Sequence, residues 1–294
     1  MLREKNLSSR IFDHFNIILM ILLILIYIVP LWHILMVSLS DRAAVAGGMV
    51  SLWPVNFTLI SYTEIMNDAR FVNAFFISIQ RVVIGGGAGV IITILMAYPL
   101  SKTPREVPFR NLFMWILIFC MLFNGGLIPW FLTVRNLGLI DTIWALAFAG
   151  GLNVFNVILV MNFFRNLPKQ MEEAAKIDGA GPWKTLILVV IPVSKPVIAT
   201  ISLFIMVFHW NEFFHGLVLT TTPDRFPLQT YIQQFVIVMD FTALTPDELM
   251  RLHELSNRSL SAAKIFIAMI PVMLVYPFMQ RFFIHGITLG SVKE

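Results

Sequence analysis

Residues 18–26 read Ile-Leu-Met-Ile-Leu-Leu-Ile-Leu-Ile, a run of large apolar side chains with no polar residue among them. A strand of a membrane barrel would alternate apolar and polar residues, because one of its faces meets lipid and the other an aqueous lumen. This run does not alternate, and it lies within an apolar stretch over 17–37. A helix needs about 20 apolar residues to cross a bilayer, and it satisfies its own backbone polar groups. The stretch therefore predicts a transmembrane helix.

Five further apolar runs are long enough to cross a bilayer. They cover residues 71–100, 109–132, 142–164, 197–219 and 261–283. Hydrophobic residues make up 58% of the 294 residues and charged residues only 13%, whereas a soluble domain carries roughly a quarter charged residues. The sequence predicts an all-α membrane protein with about six transmembrane helices and one domain over 1–294.

The Lys and Arg residues are divided unevenly between the two sides of the predicted spans. Thirteen lie on the side of the N-terminus and six on the opposite side. Because loops rich in Lys and Arg stay in the cytoplasm, both termini are expected to be cytoplasmic, and the long connection at about 220–260 is expected outside. The basic residues are spread along short loops, so topology explains the net charge of +4 and nucleic acid is not an expected partner.

A charged segment rich in Ala and Gly separates two of the apolar runs on the predicted cytoplasmic side. Its centre, 173–192, reads Glu-Ala-Ala-Lys-Ile-Asp-Gly-Ala-Gly-Pro-Trp-Lys-Thr-Leu-Ile-Leu-Val-Val-Ile-Pro, and the whole of 165–196 is here named the charged insert. A membrane protein has no internal need for such an insert, because it neither spans lipid nor buries a core of its own. We therefore expect another, soluble protein to bind it.

The charged insert predicts a short helix that lies across the cytoplasmic end of the bundle. Glu172 and Glu173 stand at the start of this helix, where the positive end of the helix dipole favours carboxylates. Ala174 and Ala175 form a small, flat surface that permits close approach of another protein. Gly and Pro residues at 179–182 are expected to break the helix. A second helix would then join this element to the next span, so that it can transmit a movement.

The spacing within the charged insert is similar to a known motif. Residues 173–192 follow the pattern Glu-Ala-Ala-x3-Gly-x9-Ile-x-Leu-Pro, with Val189 and Ile191 as conservative aliphatic replacements before Pro192. This pattern is the EAA motif, which marks permease subunits of bacterial ABC importers. Residues 178–180, Asp-Gly-Ala, have the form common in carbohydrate permeases.

Shorter matches extend the resemblance over almost the whole chain. They are 97–102 (Ala-Tyr-Pro-Leu-Ser-Lys), 123–129 (Phe-Asn-Gly-Gly-Leu-Ile-Pro), 210–213 (Trp-Asn-Glu-Phe) and 286–293 (Gly-Ile-Thr-Leu-Gly-Ser-Val-Lys). The chain resembles permeases of the maltose-importer type, including those for larger oligosaccharides. The resemblance implies the type I ABC importer permease fold and a place in the bacterial cytoplasmic (inner) membrane.

The resemblance also implies what the chain does and with which partners. A family permease forms half of the translocation pathway for an oligosaccharide, beside a second, similar permease. Two ATPase subunits bind ATP and Mg²⁺, and an external solute-binding protein delivers the substrate. The motif positions implied to couple the chain to the ATPase are Glu172, Glu173, Ala174, Ala175, Asp178, Gly179 and Pro192. The chain has no Gly-x4-Gly-Lys-Ser/Thr loop, so we expect it to bind no nucleotide in that way and to be no enzyme.

Polar residues inside the predicted spans are candidates for the translocation pathway. A charge at mid-membrane costs at least ~2.5 kcal/mol unless it is paired or hydrated, so Arg81 either lines or gates the pathway, forms a structural ion pair or reaches the interface. Trp210, Asn211 and Glu212 have sugar-binding chemistry, but adjacent residues cannot all face one cavity. We expect Asn211 or Glu212 near the pathway, the alternative being a hydrogen bond between helices.

The remaining patterns point to packing rather than to chemistry. Gly85 and Gly89 lie within a span and predict close helix packing. His209 and His215 are six residues apart with no carboxylate cluster, so neither a metal site nor catalytic residues are predicted. An ion-gradient-driven secondary transporter is the main alternative, although that class usually has more spans and buried acidic ligands. A membrane-embedded enzyme would need a paired catalytic constellation.

Overall fold

A computed structural model of the chain describes residues 7–234 and 258–291, with side chains described over 9–234 and 258–277. Within these residues the regular structure is helical throughout. The α-helices are α1 (Leu7–Ser38), α2 (Arg42–Ala46), α3 (Ile60–Asn67), α4 (Ala69–Ser101), α5 (Arg110–Leu122), α6 (Leu127–Asn136), α7 (Ile143–Phe148), α8 (Val154–Arg165), α9 (Lys169–Ile177), α10 (Pro182–Val193), α11 (Lys195–Asn211), α12 (Phe214–Leu219), α13 (Leu228–Ile232) and α14 (Arg258–Ser291).

Three of these helices are long and apolar enough to cross a membrane. They are α1 over Ser9–Ser38, α4, and α14 over Arg258–Pro277. Two bent pairs reach a sufficient length together, namely α5 with α6 at 114° and α10 with α11 at 84°. The described residues therefore contain three candidate spans, or up to five. The expected number of about six, the cytoplasmic termini and the single domain over 1–294 stay predictions.

Three of the predicted apolar runs are each two helices rather than one. The run 109–132 breaks between α5 and α6, where Gly126 has φ +88° and its N–H donates to Asn124 Oδ1 (2.9 Å). The run 142–164 breaks between α7 and α8, and 197–219 breaks at residues 212–213. Glycine and asparagine supply the turn conformations that an apolar helix cannot adopt. Each of these three runs is therefore a pair of helices separated by a turn.

The first compact unit lies within residues 1–69 and 238–269. Its small apolar core contains Met36, Ala44, Val45 and Val50. Lys264 of α14 forms a 2.7 Å ion pair with Asp68, and Trp32 Nε1 donates to the carbonyl of Leu52 (2.9 Å). The first three-quarters of α1 expose large apolar side chains on all sides. A helix that is apolar all round is typical of a membrane span.

The second compact unit lies within residues 70–237 and 270–294. Its core is formed by the second half of α4 together with α8, α10 and α11, which contribute the fully buried Ala97, Val157, Val190 and Ile201, one from each helix. Lipid tails are as apolar as these side chains, so close packing rather than transfer from water holds the helices together. The position of small residues therefore decides how near two helices can approach.

Close approach occurs at two glycines of α4. A Cβ on Gly85 would lie 2.6 Å from His209 Cε1 and 2.8 Å from the carbonyl oxygen of Ala147. A Cβ on Gly89 would lie 3.2 Å from Ile205 Cγ2. The predicted close helix packing at Gly85 and Gly89 is confirmed.

The predicted external connection, 220–260, is described as far as residue 234. Its first part belongs to the second unit and packs within it, because the Leu228 N–H donates to Ser78 Oγ (2.8 Å) and Thr230 Oγ1 donates to the carbonyl of Phe213 (2.7 Å). Leu228 and Thr230 are fully buried. The rest of the connection, 235–257, lies outside the described residues.

Candidate functional site

The helix at the centre of the charged insert, α9, ends on a glycine turn. Gly179 has φ +76°, a conformation that glycine adopts without strain, and the Ala180 N–H donates to the carbonyl of Ala175 (2.9 Å). The next helix, α10, begins with Pro182, whose missing N–H costs nothing at a first helical position. The predicted break at 179–182 is confirmed.

The two faces of α9 differ in burial. Glu173 and Ala174 are exposed, and Ile177 next to them is 87% exposed. Ala175 is buried, and Glu172 lies on the same side as Ala175. An exposed large apolar side chain beside small and acidic ones is typical of a surface that another protein covers.

Two further predicted coupling positions, Asp178 and Pro192, follow the exposed face of α9 in the sequence. Asp178 is exposed at the end of α9, and Pro192 is exposed near the end of α10. Between them, Trp183 is 66% exposed. One turn of α10, Leu186–Val190, is π-helical, which is an irregularity often found at functional positions.

The buried side of α9 is attached to the segment that follows α4. Glu172 forms an ion pair with Lys102, and Lys176 Nζ lies 3.3 Å from Glu106 Oε1. Hydrogen bonds from the backbone N–H and the hydroxyl of Thr103, assisted by Lys176, lower the pKa of Glu106 to about 2. Glu106 is therefore ionised at any physiological pH.

A cavity of about 560 Å³ lies beside these ion pairs. Its walls include Tyr98 and Lys102 from the end of α4, Lys176 from α9, and Trp183 and Leu186 from α10. The charged insert is therefore not a closed loop but a surface with a groove beside it.

A second polar cluster lies inside the helix bundle around Arg81. This side chain is fully buried, and its Nε donates to the carbonyl of Leu146 (2.9 Å). One terminal nitrogen donates to the carbonyl of Glu212 (2.7 Å) and the other to its carboxylate (2.6 Å). The second nitrogen also lies 3.1 Å from His215 Nδ1, which is at the same distance from Glu212 Oε2. The cluster joins α4 to the break between α11 and α12.

The ion pair of Arg81 with Glu212 is one of the alternatives that the sequence leaves open for Arg81. Glu212 accordingly bonds between helices, and its side chain is only 12% exposed. Trp210 is buried edge-to-face against Phe75, with ring centroids 5.7 Å apart. Asn211 is exposed at the end of α11. The structure brings Arg81 and Glu212 into contact. Trp210 and Asn211 lie apart from this pair, the first buried against Phe75 and the second exposed.

A cavity of about 320 Å³ adjoins this cluster. Its lining includes the glycines Gly85 and Gly89, Phe208, and the polar side chains of Asn156 and His209. Asn156 Oδ1 and His209 Nδ1 are buried, and neither has a hydrogen-bond partner among the described residues. Buried polar atoms of this kind are suited to a polar ligand or water.

Two features were not predicted from the sequence: the attachment of α9 through Lys102 and Glu106, and the buried polar atoms of Asn156 and His209. One local signal was present, because Thr103-x-x-Glu106 has the spacing of a capping box. The pairs Lys102–Glu172 and Glu106–Lys176 join residues 70 positions apart, so neither hydropathy nor the spacing of neighbouring residues indicates them.

Comparison with known protein families identifies the chain. Residues 89–288 match the family described as the binding-protein-dependent transport system inner membrane component. The chain belongs to this family. The match begins within α4 and ends within α14, and therefore includes the charged insert and the broken helices.

Individual relatives of this inner membrane component cover almost its whole length. It is 39% identical to the protein LplC of Bacillus subtilis, over 97% of this chain and 96% of that protein. It is 36% identical to the polygalacturonan/rhamnogalacturonan transport system permease protein YtcP of the same species, over 98% of this chain and all of that protein.

A solved structure has the same fold. A chain in the crystal structure of a bacterial ABC transporter involved in the import of the acidic polysaccharide alginate matches with a TM-score of 0.85 and 33% identity. The match covers 95% of this chain and 98% of that chain. The inner membrane component is thus a permease subunit of an ABC transporter and not itself an enzyme. The resemblance found in the sequence is confirmed, and nothing in these matches supports an ion-gradient-driven transporter.

Proposed function

We propose that this permease forms half of the translocation pathway for an oligosaccharide that an external binding protein delivers. The names of the relatives support a saccharide. YtcP is named for polygalacturonan and rhamnogalacturonan, and the solved transporter imports alginate. A further relative, 28% identical over 99% of this chain, is the diacetylchitobiose uptake system permease protein NgcG of Streptomyces coelicolor. All of these substrates consist of linked sugar units.

The proposed assembly contains a second, similar permease and two ATPase subunits, which bind ATP and Mg²⁺. The chain has the type I importer fold with about six spans and cytoplasmic termini. The excess of Lys and Arg on the side of the N-terminus supports this orientation. The same orientation places the charged insert in the cytoplasm, where the ATPase subunits are.

The exposed face of α9 is the proposed contact with the ATPase. One observation carries this proposal: in a chain that is mostly apolar, a nine-residue charged helix exposes Glu173, Ala174 and an 87% exposed Ile177. Glu172, Ala175, Asp178 and Gly179 give this face its support and its sharp end, and Pro192 lies where α10 meets α11. ATP-driven movement of the ATPase would move α9 and, through α10, the span that follows.

Asn211 is the residue proposed to line the pathway. It is exposed at the break after α11, whereas Arg81 and Glu212 neutralise each other and fix the backbone of that break. Trp210 packs behind it against Phe75. The cavity lined by Asn156 and His209 supports a polar route, because Asn156 Oδ1 can accept from a sugar hydroxyl and His209 Nδ1 can donate to one or accept from one.

The test is reconstitution of the complete transporter in liposomes. The permease is assembled with its partner permease, ATPase and binding protein, and is supplied with oligogalacturonides, alginate oligosaccharides or diacetylchitobiose. At least one saccharide should stimulate ATP hydrolysis and enter the liposomes. If an imposed ion gradient drives uptake without ATP, the proposal is wrong.

A variant tests the contact on α9. Glu173→Ala combined with Gly179→Val should insert into the membrane but lose both transport and co-purification of the ATPase. Arg135→Ala, which removes an exposed charge on α6, is the control and should keep both. Normal uptake by the α9 variant would contradict the coupling role.

A further inference from the structure

Two ion pairs join α9 to the segment 102–106 with complementary charge patterns. Lys102 pairs with Glu172, and Glu106 pairs with Lys176. In each segment the two paired charges are four residues apart, basic then acidic in 102–106 and acidic then basic in α9. On α9 this spacing puts Glu172 and Lys176 on one face. A shift by four residues would bring like charges together, so the two pairs define a single register.

The two pairs differ in their exposure to solvent. The side chains of Lys102 and Glu172 are 14% and 19% exposed, whereas those of Lys176 and Glu106 are 60% and 42% exposed. Lys102 Nζ also lies 4.2 Å from the centre of the Tyr98 ring, which favours a cation. Exposed ion pairs are screened and contribute little. The Lys102–Glu172 pair therefore provides most of the attachment, and the Glu106–Lys176 pair mainly fixes its direction.

A third contact reinforces the same junction. The carbonyl of Leu100, at the end of α4, accepts hydrogen bonds from Arg110 Nε (2.8 Å) and from Arg165 Nη2 (3.3 Å). Cations are favoured at the negative end of a helix dipole. Arg165 is the last residue of α8, shortly before α9 begins. The chain before α9 and α9 itself are thus both fixed to the end of α4.

We infer that Lys102 and Glu106 are positioning residues for coupling, because they make α4 move together with α9. The inference rests on the proposed function, in which the ATPase moves α9. The covalent chain joins α9 only to α8 and α10. The ion pairs also attach α9 to α4, which is distant in sequence. Since α4 also carries Arg81, its movement reaches the buried polar cluster at the break after α11.

Charge reversal tests this inference in the complete reconstituted transporter. Lys102→Glu lies outside α9 and leaves the exposed face of α9 intact, so the ATPase should still co-purify. The amount of saccharide taken up per ATP hydrolysed should fall at least five-fold. Lys102→Glu combined with Glu172→Lys restores opposite charges and should return this ratio to within two-fold of the unchanged protein. A purely structural role would lower the yield of the complex and not this ratio.

A second measurement does not depend on the saccharide. In a Cys120→Ser background, spin labels on cysteines replacing Ile91 in α4 and Gln170 in α9, both exposed, report the distance between the two helices. This distance should stay constant between the nucleotide-free complex and the complex trapped with ATP and vanadate, and Lys102→Glu should make it change. A distance that already changes in the unchanged protein overturns the inference.

The two proposals fail in different ways. If the α9 variant Glu173→Ala with Gly179→Val loses the ATPase while Lys102→Glu transports normally, coupling through α9 stands and the positioning role is wrong. If the α9 variant transports normally, the proposed function itself is wrong.

Discussion

Replacing Arg81 by Met should strongly destabilise the permease. The guanidinium donates to two backbone carbonyls, Leu146 (2.9 Å) and Glu212 (2.7 Å), and to the Glu212 carboxylate (2.6 Å). Arg81→Met leaves this carboxylate without its counter-ion, although its side chain is only 12% exposed. Removing one partner of a buried ion pair costs about 3–5 kcal/mol. The loss is expected to be at the upper end, because two carbonyls also lose their donor.

The assay is the melting temperature of the assembled transporter, followed through a fluorescent tag on this chain. A change of 1 kcal/mol shifts Tm by roughly 2–4 °C for a chain of 150–250 residues. Arg81→Met should therefore lower Tm on the order of 10 °C. Arg135→Met is the matched control, because Arg135 is exposed and such substitutions usually change stability by less than about 0.5 kcal/mol.

The double variant Arg81→Met with Glu212→Gln distinguishes the interaction energy of the ion pair from the other contacts of the two residues. It contains no unpaired charge, so it should cost at least about 1 kcal/mol less than the sum of the two single variants. Additive effects, or a Tm decrease below about 3 °C for Arg81→Met, would refute the view that this cluster anchors the helix break.

Two further predictions concern single positions. Gly85→Ala should destabilise the permease by about 1–3 kcal/mol in a thermal melt, because the new Cβ would lie 2.6 Å from His209 Cε1, whereas Gly87→Ala, with no atom within 4 Å, should be neutral or slightly stabilising; equal effects would contradict the packing described. The hydrogen bonds from Thr103 hold the pKa of Glu106 at about 2, below its unfolded value of about 4.3, so the stabilisation by Glu106 is fully present above the unfolded value and is lost progressively as the pH falls from there through about 2. Glu106→Gln should accordingly lower Tm equally at pH 7 and pH 5 and by less at pH 3, and no decrease at pH 7 would show that this pKa is not lowered.

Features written into local sequence could be predicted. Uninterrupted apolar runs predicted helices rather than strands, and Gly179 and Pro182 marked the end of one helix and the start of the next. The spacing of Gly85 and Gly89 predicted close packing because it depends only on residue size and on helix geometry. The motif in the charged insert led to the family for the same reason, since its signal lies within 20 consecutive residues.

The helix breaks could not be read from hydropathy. Residues 109–132 remain apolar on both sides of Gly126, so a hydropathy window passes over a bend of 114°. Pairs such as Lys102 with Glu172 depend on the tertiary fold. Arg81 and Glu212 are an intermediate case, because two opposite charges in separate apolar runs suggest a pair without identifying its backbone partners.

The complementary charges of 102–106 and of α9 have a consequence for hybrid transporters. Engineers who redirect a permease to a foreign ATPase would exchange the 165–196 stretch between homologues. Where the homologue has other charges at the positions of Glu172 and Lys176, the transplanted stretch would not match the recipient's 102–106 stretch. The charges match again when both stretches are exchanged together. Compatibility in these chimeras is therefore decided partly by two residues that lie far upstream of the transplanted stretch.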